Sequence, residues 1–143
     1  MKDFKKILVP FDGSDHSKQA LEQAVFLANL CQAELTLLHV VDLNRKISSF
    51  EQVSTGGYIP NELKEDGYKL IGPAMATIPE AIKATSVVEI GSPAEIITEI
   101  CSAGEYDLII MGSRGLNKFK QIFMGSVSQY VLAHAACPVM VIR

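Results

Sequence analysis

The sequence predicts an α/β protein: a single, doubly wound, five-stranded parallel sheet with helices on both faces. Three observations carry that reading. Short apolar runs of strand length recur at residues 6–11, 34–41, 85–90, 107–111 and 138–142. Stretches with apolar residues at helical spacing stand between them, and turn-forming residues such as Asp12-Gly13-Ser14 and Gly91-Ser92-Pro93 mark the changes of period. Strands that alternate with helices in this way build parallel sheets covered on both sides.

The first run, Lys6-Ile7-Leu8-Val9-Pro10-Phe11, is apolar after its lysine, as a central strand buried on both faces requires. From Ser17 to about Gln32, the residues Ala20, Leu21, Ala24, Leu27, Ala28 and Cys31 fall on one helical face. Glu34 to Val41 returns to strand character and completes a βαβ unit, whose crossover should be right-handed. Residues 42–60 show little periodicity and carry Ser48-Ser49, Ser54-Thr55 and Gly56-Gly57. A stretch of that length in a compact domain is functional or mobile. A helix from about Asn61 to Ile78 follows, through Leu63, Tyr68, Leu70, Ile71 and Met75. Gly72-Pro73 should kink or split it, and Pro79 lies beyond its end.

Thr85 to Ile90 is the third strand. Ser92-Pro93-Ala94-Glu95 then predicts a helix start, with serine as N-cap, proline at the first position and glutamate closing a capping box. Ala94, Ile97, Ile100 and Cys101 give that helix a buried face, and Gly104 ends it. Asp107 to Met111 is the fourth strand, Val127 to His134 opens the last helix, and Pro138 to Ile142 is the last strand.

Between the fourth strand and the last helix stands Gly112-Ser113-Arg114-Gly115, then nine residues, then Gly125-Ser126. Strand, glycine-bearing loop and helix N-terminus form an arrangement that holds phosphate. Glycines let backbone N–H groups approach the oxygens, and the helix end favours negative charge. The segment is neither a G-x-x-x-x-G-K-[ST] loop nor a G-x-G-x-x-G fingerprint. Taken alone, the glycines are equally compatible with an ordinary strand end and helix start. Ligands of doubly wound sheets sit beyond the carboxyl ends of the strands, where Asp12, Val40–Val41 and Gly112 fall.

Composition bounds the function. The 143 residues suit one domain, 1–143, able to bury roughly two-thirds of its unfolded surface. A net charge of −3 argues for neither a nucleic-acid nor an anionic-membrane partner, and no apolar stretch approaches the ~20 residues of a membrane span. The N-terminus runs directly into a strand, leaving no room for a signal peptide, so a cytoplasmic location is expected. Cys31, Cys101 and Cys137 lie far apart without C-x-x-C spacing. Buried reduced thiols are expected rather than a disulfide or a zinc site.

Several segments together resemble the universal stress protein family. They are Val9-Pro10-Phe11-Asp12-Gly13-Ser14, Leu38-His39-Val40-Val41, Gly91-Ser92-Pro93-Ala94, residues 107–115 and Pro138-Val139-Met140-Val141-Ile142. The resemblance covers nearly the whole chain. It implies a Rossmann-like, adenine-nucleotide α-hydrolase-like fold. Family members with G-x-x-G, nine residues and G-[ST] bind ATP, and Gly112, Gly115, Gly125 and Ser126 meet that pattern. The middle segment departs from the family, because Gly72-Pro73 interrupts a helix that is usually more regular.

The resemblance implies a role for each site residue. Gly112, Gly115 and the backbone of Gly125, Ser126 and Val127 would cradle the phosphates of ATP, ADP or AMP. Ser126 and Ser128 would donate hydroxyls. Asp12 would lie near the ribose or a phosphate-bound Mg or Mn ion, with no direct protein metal site. Pro10, Phe11, Val40 and Met111 would form the adenine slot. Read from the residues alone, Asp12 also suits a cap on the first helix, and Ser126 a plain N-cap on the last. Arg114, Lys118 and Lys120 add local positive charge that favours an anion.

His16, His39 and His134 are scattered, and no nucleophile–base pair or metal-ligand spacing is legible. The leading expectation is therefore a nucleotide-responsive stress or regulatory protein. The alternative is a slow ATPase or another adenine-nucleotide hydrolase of the same fold. A pyrophosphatase of that group would need S-G-G-x-D-S, which Phe11-Asp12-Gly13-Ser14-Asp15-His16-Ser17 does not supply. A receiver domain would need a phosphoacceptor aspartate where Val88-Glu89-Ile90-Gly91 stands. The apolar last strand should lie at a sheet edge, and it predicts a homodimer through that edge.

Overall fold

A computed structural model describes residues 3–42, 59–114 and 124–143. In chain order its elements are β1 (Lys6–Pro10), α1 (Asp15–Cys31), β2 (Glu34–Asp42), α2 (Ile59–Met75), β3 (Ala84–Gly91), α3 (Pro93–Ala103), β4 (Leu108–Gly112), α4 (Ser126–His134) and β5 (Val139–Ile142). The strands form one parallel sheet in the order β3-β2-β1-β4-β5. The chain steps outward from β1 to β3 and then crosses back to lay down β4 and β5 on the other side. In register, Ile7 of β1 lies between Leu35 of β2 and Leu108 of β4. The strand order therefore reverses between β1 and β4, which is the doubly wound sheet the sequence predicts.

Alternation along the strands sorts the apolar side chains into two layers. Ile7, Val9, Leu35, Leu37, Leu108 and Ile110 pack with Ala20, Leu21 and Ala24 of α1 and with Leu63 and Ile71 of α2. Leu8, Leu38, Ile109 and Met111 pack with Ile97 and Cys101 of α3 and Val131 of α4. Thus α1 and α2 cover one face, and α3 and α4 the other. Burial on both sides explains why β1 and β4 read as unbroken apolar runs.

Several local expectations change. The α2 helix runs through Gly72-Pro73 without splitting and ends at Met75, so Ile78 lies beyond it. Pro73 falls in the last turn, where a missing N–H and a crowded carbonyl disturb little that follows. Ser92 occupies the N-cap of α3, yet its side chain makes no capping bond, so Pro93 is left as the start signal. Gly104 ends α3 in right-handed geometry at φ −87°, and the left-handed residue is Glu105 at φ 54°. Cys31 is exposed, against the expectation of burial, whereas Cys101 is buried and Cys137 half-buried. Residues 43–58 of the long aperiodic stretch lie outside the described residues. Among the described residues, no helix is long and apolar enough to cross a membrane.

Candidate functional site

The carboxyl ends of β1 and β4 meet at the reversal of strand order, and two turns shape the space beyond them. In the first turn, Asp12 Oδ1 accepts the Ser14 N–H at 2.9 Å. Gly13 between them takes φ +86°, which a residue with a side chain adopts only under strain. Ser14, not Asp12, is the N-cap of α1. Its Oγ accepts the Ser17 N–H at 3.2 Å, and Ser17 Oγ donates back to the Ser14 carbonyl at 2.9 Å. Both residues can accept such a bond. The Gly13 turn advances the chain so that α1 begins at Asp15, and the serine then stands at the cap.

This turn brings the start of α1 against the end of β4. A Cβ on Gly112 would lie 2.7 Å from His16 Cβ and 2.8 Å from the His16 carbonyl carbon. Gly112 is therefore a glycine because two pieces of backbone pass too close for anything larger.

The second turn leads from β4 to α4 and is organised by Ser113, which is 1% exposed. Its N–H donates to the Ile142 carbonyl of β5 at 2.7 Å. Its carbonyl accepts the Gly125 N–H at 2.6 Å and the Ser128 hydroxyl at 2.7 Å. Its hydroxyl lies 2.9 Å from His16 Nδ1 on α1. One serine thus ties together β4, β5, α1 and α4.

Gly125 is the N-cap of α4, and Ser126, expected there, is the first helical residue. Glycine offers no capping side chain, and the first turn of α4 contains no acidic residue. The first amides of the helix, from Ser126 to Ser128, have no partner within it. Gly125 itself has φ −71°, open to any residue. A Cβ there would meet the Ser113 carbonyl oxygen at 3.5 Å and Arg114 Cα at 3.7 Å, both ordinary contacts. Neither packing nor backbone geometry among the described residues requires glycine at 125.

Residues 3–143 match the model of the Universal stress protein family. The chain belongs to that family. It is 37% identical over 150 residues to universal stress protein YxiE of Bacillus subtilis, an alignment covering 98% of this chain and 99% of the relative. Hypothetical protein MJ0577 superimposes with a TM-score of 0.86 at 32% identity, covering 99% of this chain and 96% of the other. Two more distant universal stress proteins share the fold and were solved with nucleotides. One is in complex with cAMP (TM-score 0.76, 21% identity, 99% of both chains). The other, from Archaeoglobus fulgidus, is in complex with dAMP (TM-score 0.72, 19% identity, 99% of this chain and 100% of that one).

Within this universal stress protein fold, the expected site residues divide. Val40, Met111 and Val127 belong to one apolar layer, under α3 and α4. Half-buried Pro10 falls on the same side by alternation with Val9. The Phe11 side chain goes to the opposite face with Ile7 and Val9 and is 5% exposed, so it does not join Val40 and Met111. Its backbone remains at the site edge, with the carbonyl 2.8 Å from His39 Nδ1. Half-buried Arg114 adjoins Gly125, and the Ser126 side chain is exposed. Ser128 is 2% exposed, and its hydroxyl lies within bonding distance of both the Ser113 and the Gly125 carbonyls, at 2.7 and 3.0 Å. That hydroxyl holds the turn together instead of facing outward. Gly115, Lys118 and Lys120 lie outside the described residues.

Sequence reasoning missed the Ser113–His16 pair. The two residues are 97 positions apart, and only the place of Ser113 inside the glycine segment hinted at it. No group of three or more His, Cys, Asp or Glu side chains among the described residues could hold a metal ion.

Proposed function

We propose that this universal stress protein binds an adenine nucleotide, ATP foremost, beyond the carboxyl ends of β1, β2 and β4, and acts as a nucleotide-responsive stress or regulatory factor. The observation that carries the reading is Gly125. Nothing among the described residues requires glycine there, and it stands before the first amides of α4, which have no partner within the helix, and is bonded to the end of β4. The amides of Ser126, Val127 and Ser128, with Gly115 and Arg114, would take the phosphates. Half-buried Val40, Val127 and Pro10 would offer apolar surface to adenine, with Met111, 5% exposed, in the same layer behind them, and Phe11 would contribute through its backbone. The cAMP and dAMP complexes of the two distant family members support an adenine ligand on this fold.

A Mg or Mn ion suits the polyphosphate, because a cradle of N–H groups leaves phosphate charge to neutralise. Asp12 is the nearby carboxylate in the β1–α1 turn, and the phosphates would supply most of the ion's oxygen ligands. Hydrolysis gains no support from Ser113 and His16. A serine 1% exposed, with its backbone bonded on both sides, presents no nucleophile to a ligand. A second copy would pair through the edge strand β5.

Acid extraction of the purified protein, followed by chromatography of the supernatant, tests the reading. A co-purifying adenine nucleotide is expected. No nucleotide in the extract, together with no thermal shift on adding any adenine nucleotide at saturating concentration, would contradict it.

A further inference from the structure

At the opposite end of the sheet from the glycine segment, two cysteines meet. Cys101 lies in the last turn of α3, 1% exposed, in the apolar layer with Leu8, Ile97 and Val131. Cys137 stands just ahead of Pro138, whose carbonyl accepts the Ile109 N–H at 3.0 Å where β5 joins β4. The two sulfurs are 3.0 Å apart although the residues are 36 positions apart in sequence. We propose that Cys101 and Cys137 are a redox couple: a dithiol that closes to an intramolecular disulfide and staples the last turn of α3 to the foot of the edge strand β5.

Closure asks little of the fold. Bringing the sulfurs to bonding distance needs a movement of about 1 Å. Access is asymmetric, since Cys137 is half-buried and Cys101 is sealed in the core. A small-molecule disulfide therefore meets Cys137 first. The Cys137 thiol releases its proton to solvent, and its sulfur attacks the disulfide. One S–S bond forms, one breaks, and the first small thiolate leaves. Cys101 then gives up its proton and attacks the Cys137 sulfur, expelling the second small thiol. Two protein thiols are oxidised by two electrons, and one disulfide is reduced to two thiols. Burial, and the hydrogen bond its S–H donates to the Cys101 sulfur, hold the Cys137 thiol protonated at neutral pH, so the first step is slow there and quickens in mild alkali.

The test uses the full chain with exposed Cys31 replaced, Cys31→Ser, treated with oxidised glutathione at mildly alkaline pH. Remaining thiols are alkylated after denaturation and the digest is weighed. A linked Cys101–Cys137 peptide pair, two hydrogens lighter than the separate thiols, is expected. The melting temperature should rise by roughly 5–15 °C and return on reduction. A second variant that also carries Cys137→Ser keeps Cys101 buried and should show neither the link nor the redox-dependent shift. Full alkylation of both thiols after treatment would overturn the proposal. So would a stable glutathione adduct on Cys137, or a link formed only between two chains.

Discussion

The Gly125 N–H donates to the Ser113 carbonyl at 2.6 Å, which fixes the start of α4 to the end of β4. The position of the helix's first amides is thus tied to the sheet. A rigid scaffold presenting unpaired donors is what an anion site requires. The two described glycines of the segment reach this arrangement differently. Gly112 yields to neighbouring backbone, whereas a Cβ at Gly125 would make only ordinary contacts with the described residues.

Gly125→Val should separate binding from folding. The β-carbon makes only ordinary contacts, so stability should change by no more than about 1 kcal/mol. The side chain would enter the space before the α4 amides, and ATP affinity should fall at least about tenfold, a loss of about 1.4 kcal/mol. Parallel denaturant melts and nucleotide titrations check both halves. Parent-like affinity in the variant would reduce the segment to a plain loop.

Gly112→Ala should do the reverse. Its β-carbon would fall 2.7–3.0 Å from His16 and the Ser17 amide nitrogen, where backbone must move to admit it. A destabilisation of about 1–3 kcal/mol is expected from urea unfolding. A variant as stable as the parent would show that α1 is not pressed against β4.

Cys137 makes stability depend on pH at the alkaline end. Burial first, and then the Cys101 hydrogen bond, push its thiol up from an ordinary 9.0 to about 12. The folded state therefore holds a proton that the unfolded chain releases. The stabilisation is complete below pH 9.0 and is lost as pH rises toward about 12. Melting temperatures of the reduced protein should drop more steeply above that point than those of Cys137→Ala. Equal slopes would remove the thiol from the account.

The β5 strand lies at the sheet edge, with all four of its residues half-buried in the single chain. Two copies pairing edge to edge would satisfy its open backbone groups, and Val141→Lys should break that pairing. Sedimentation should show a species of twice 15.6 kDa that becomes 15.6 kDa in the variant. A parent protein that sediments at 15.6 kDa at every concentration would leave β5 without a partner.

The strands were legible because a strand buried on both faces, such as β1 or β4, must be a short apolar run. Only alternation with helices then makes the sheet parallel. The caps were harder. Asp12 and Ser14 are equally good acceptors, and the Gly13 turn between them decides which one reaches the first turn of α1. At the last helix, Ser126 looked like the cap, but the bonds from the Gly125 amide and the Ser128 hydroxyl to Ser113 place the boundary one residue earlier. Phe11 is put beside Met111 in the adenine slot by the family resemblance. Its parity follows Ile7 and Val9, and which parity faces which helix layer is settled only by tertiary packing. The pairs His16–Ser113 and Cys101–Cys137 join distant segments and leave no spacing to read.

Titration calorimetry with ATP in the presence of Mg tests the central claim most directly. Micromolar-range binding is expected, weakened when GTP replaces ATP because the proposed adenine slot beside Val40 and Val127 is apolar, and lost in Gly125→Val. No heat with ATP, or equal heat from the parent and Gly125→Val, would contradict a nucleotide site at the start of α4.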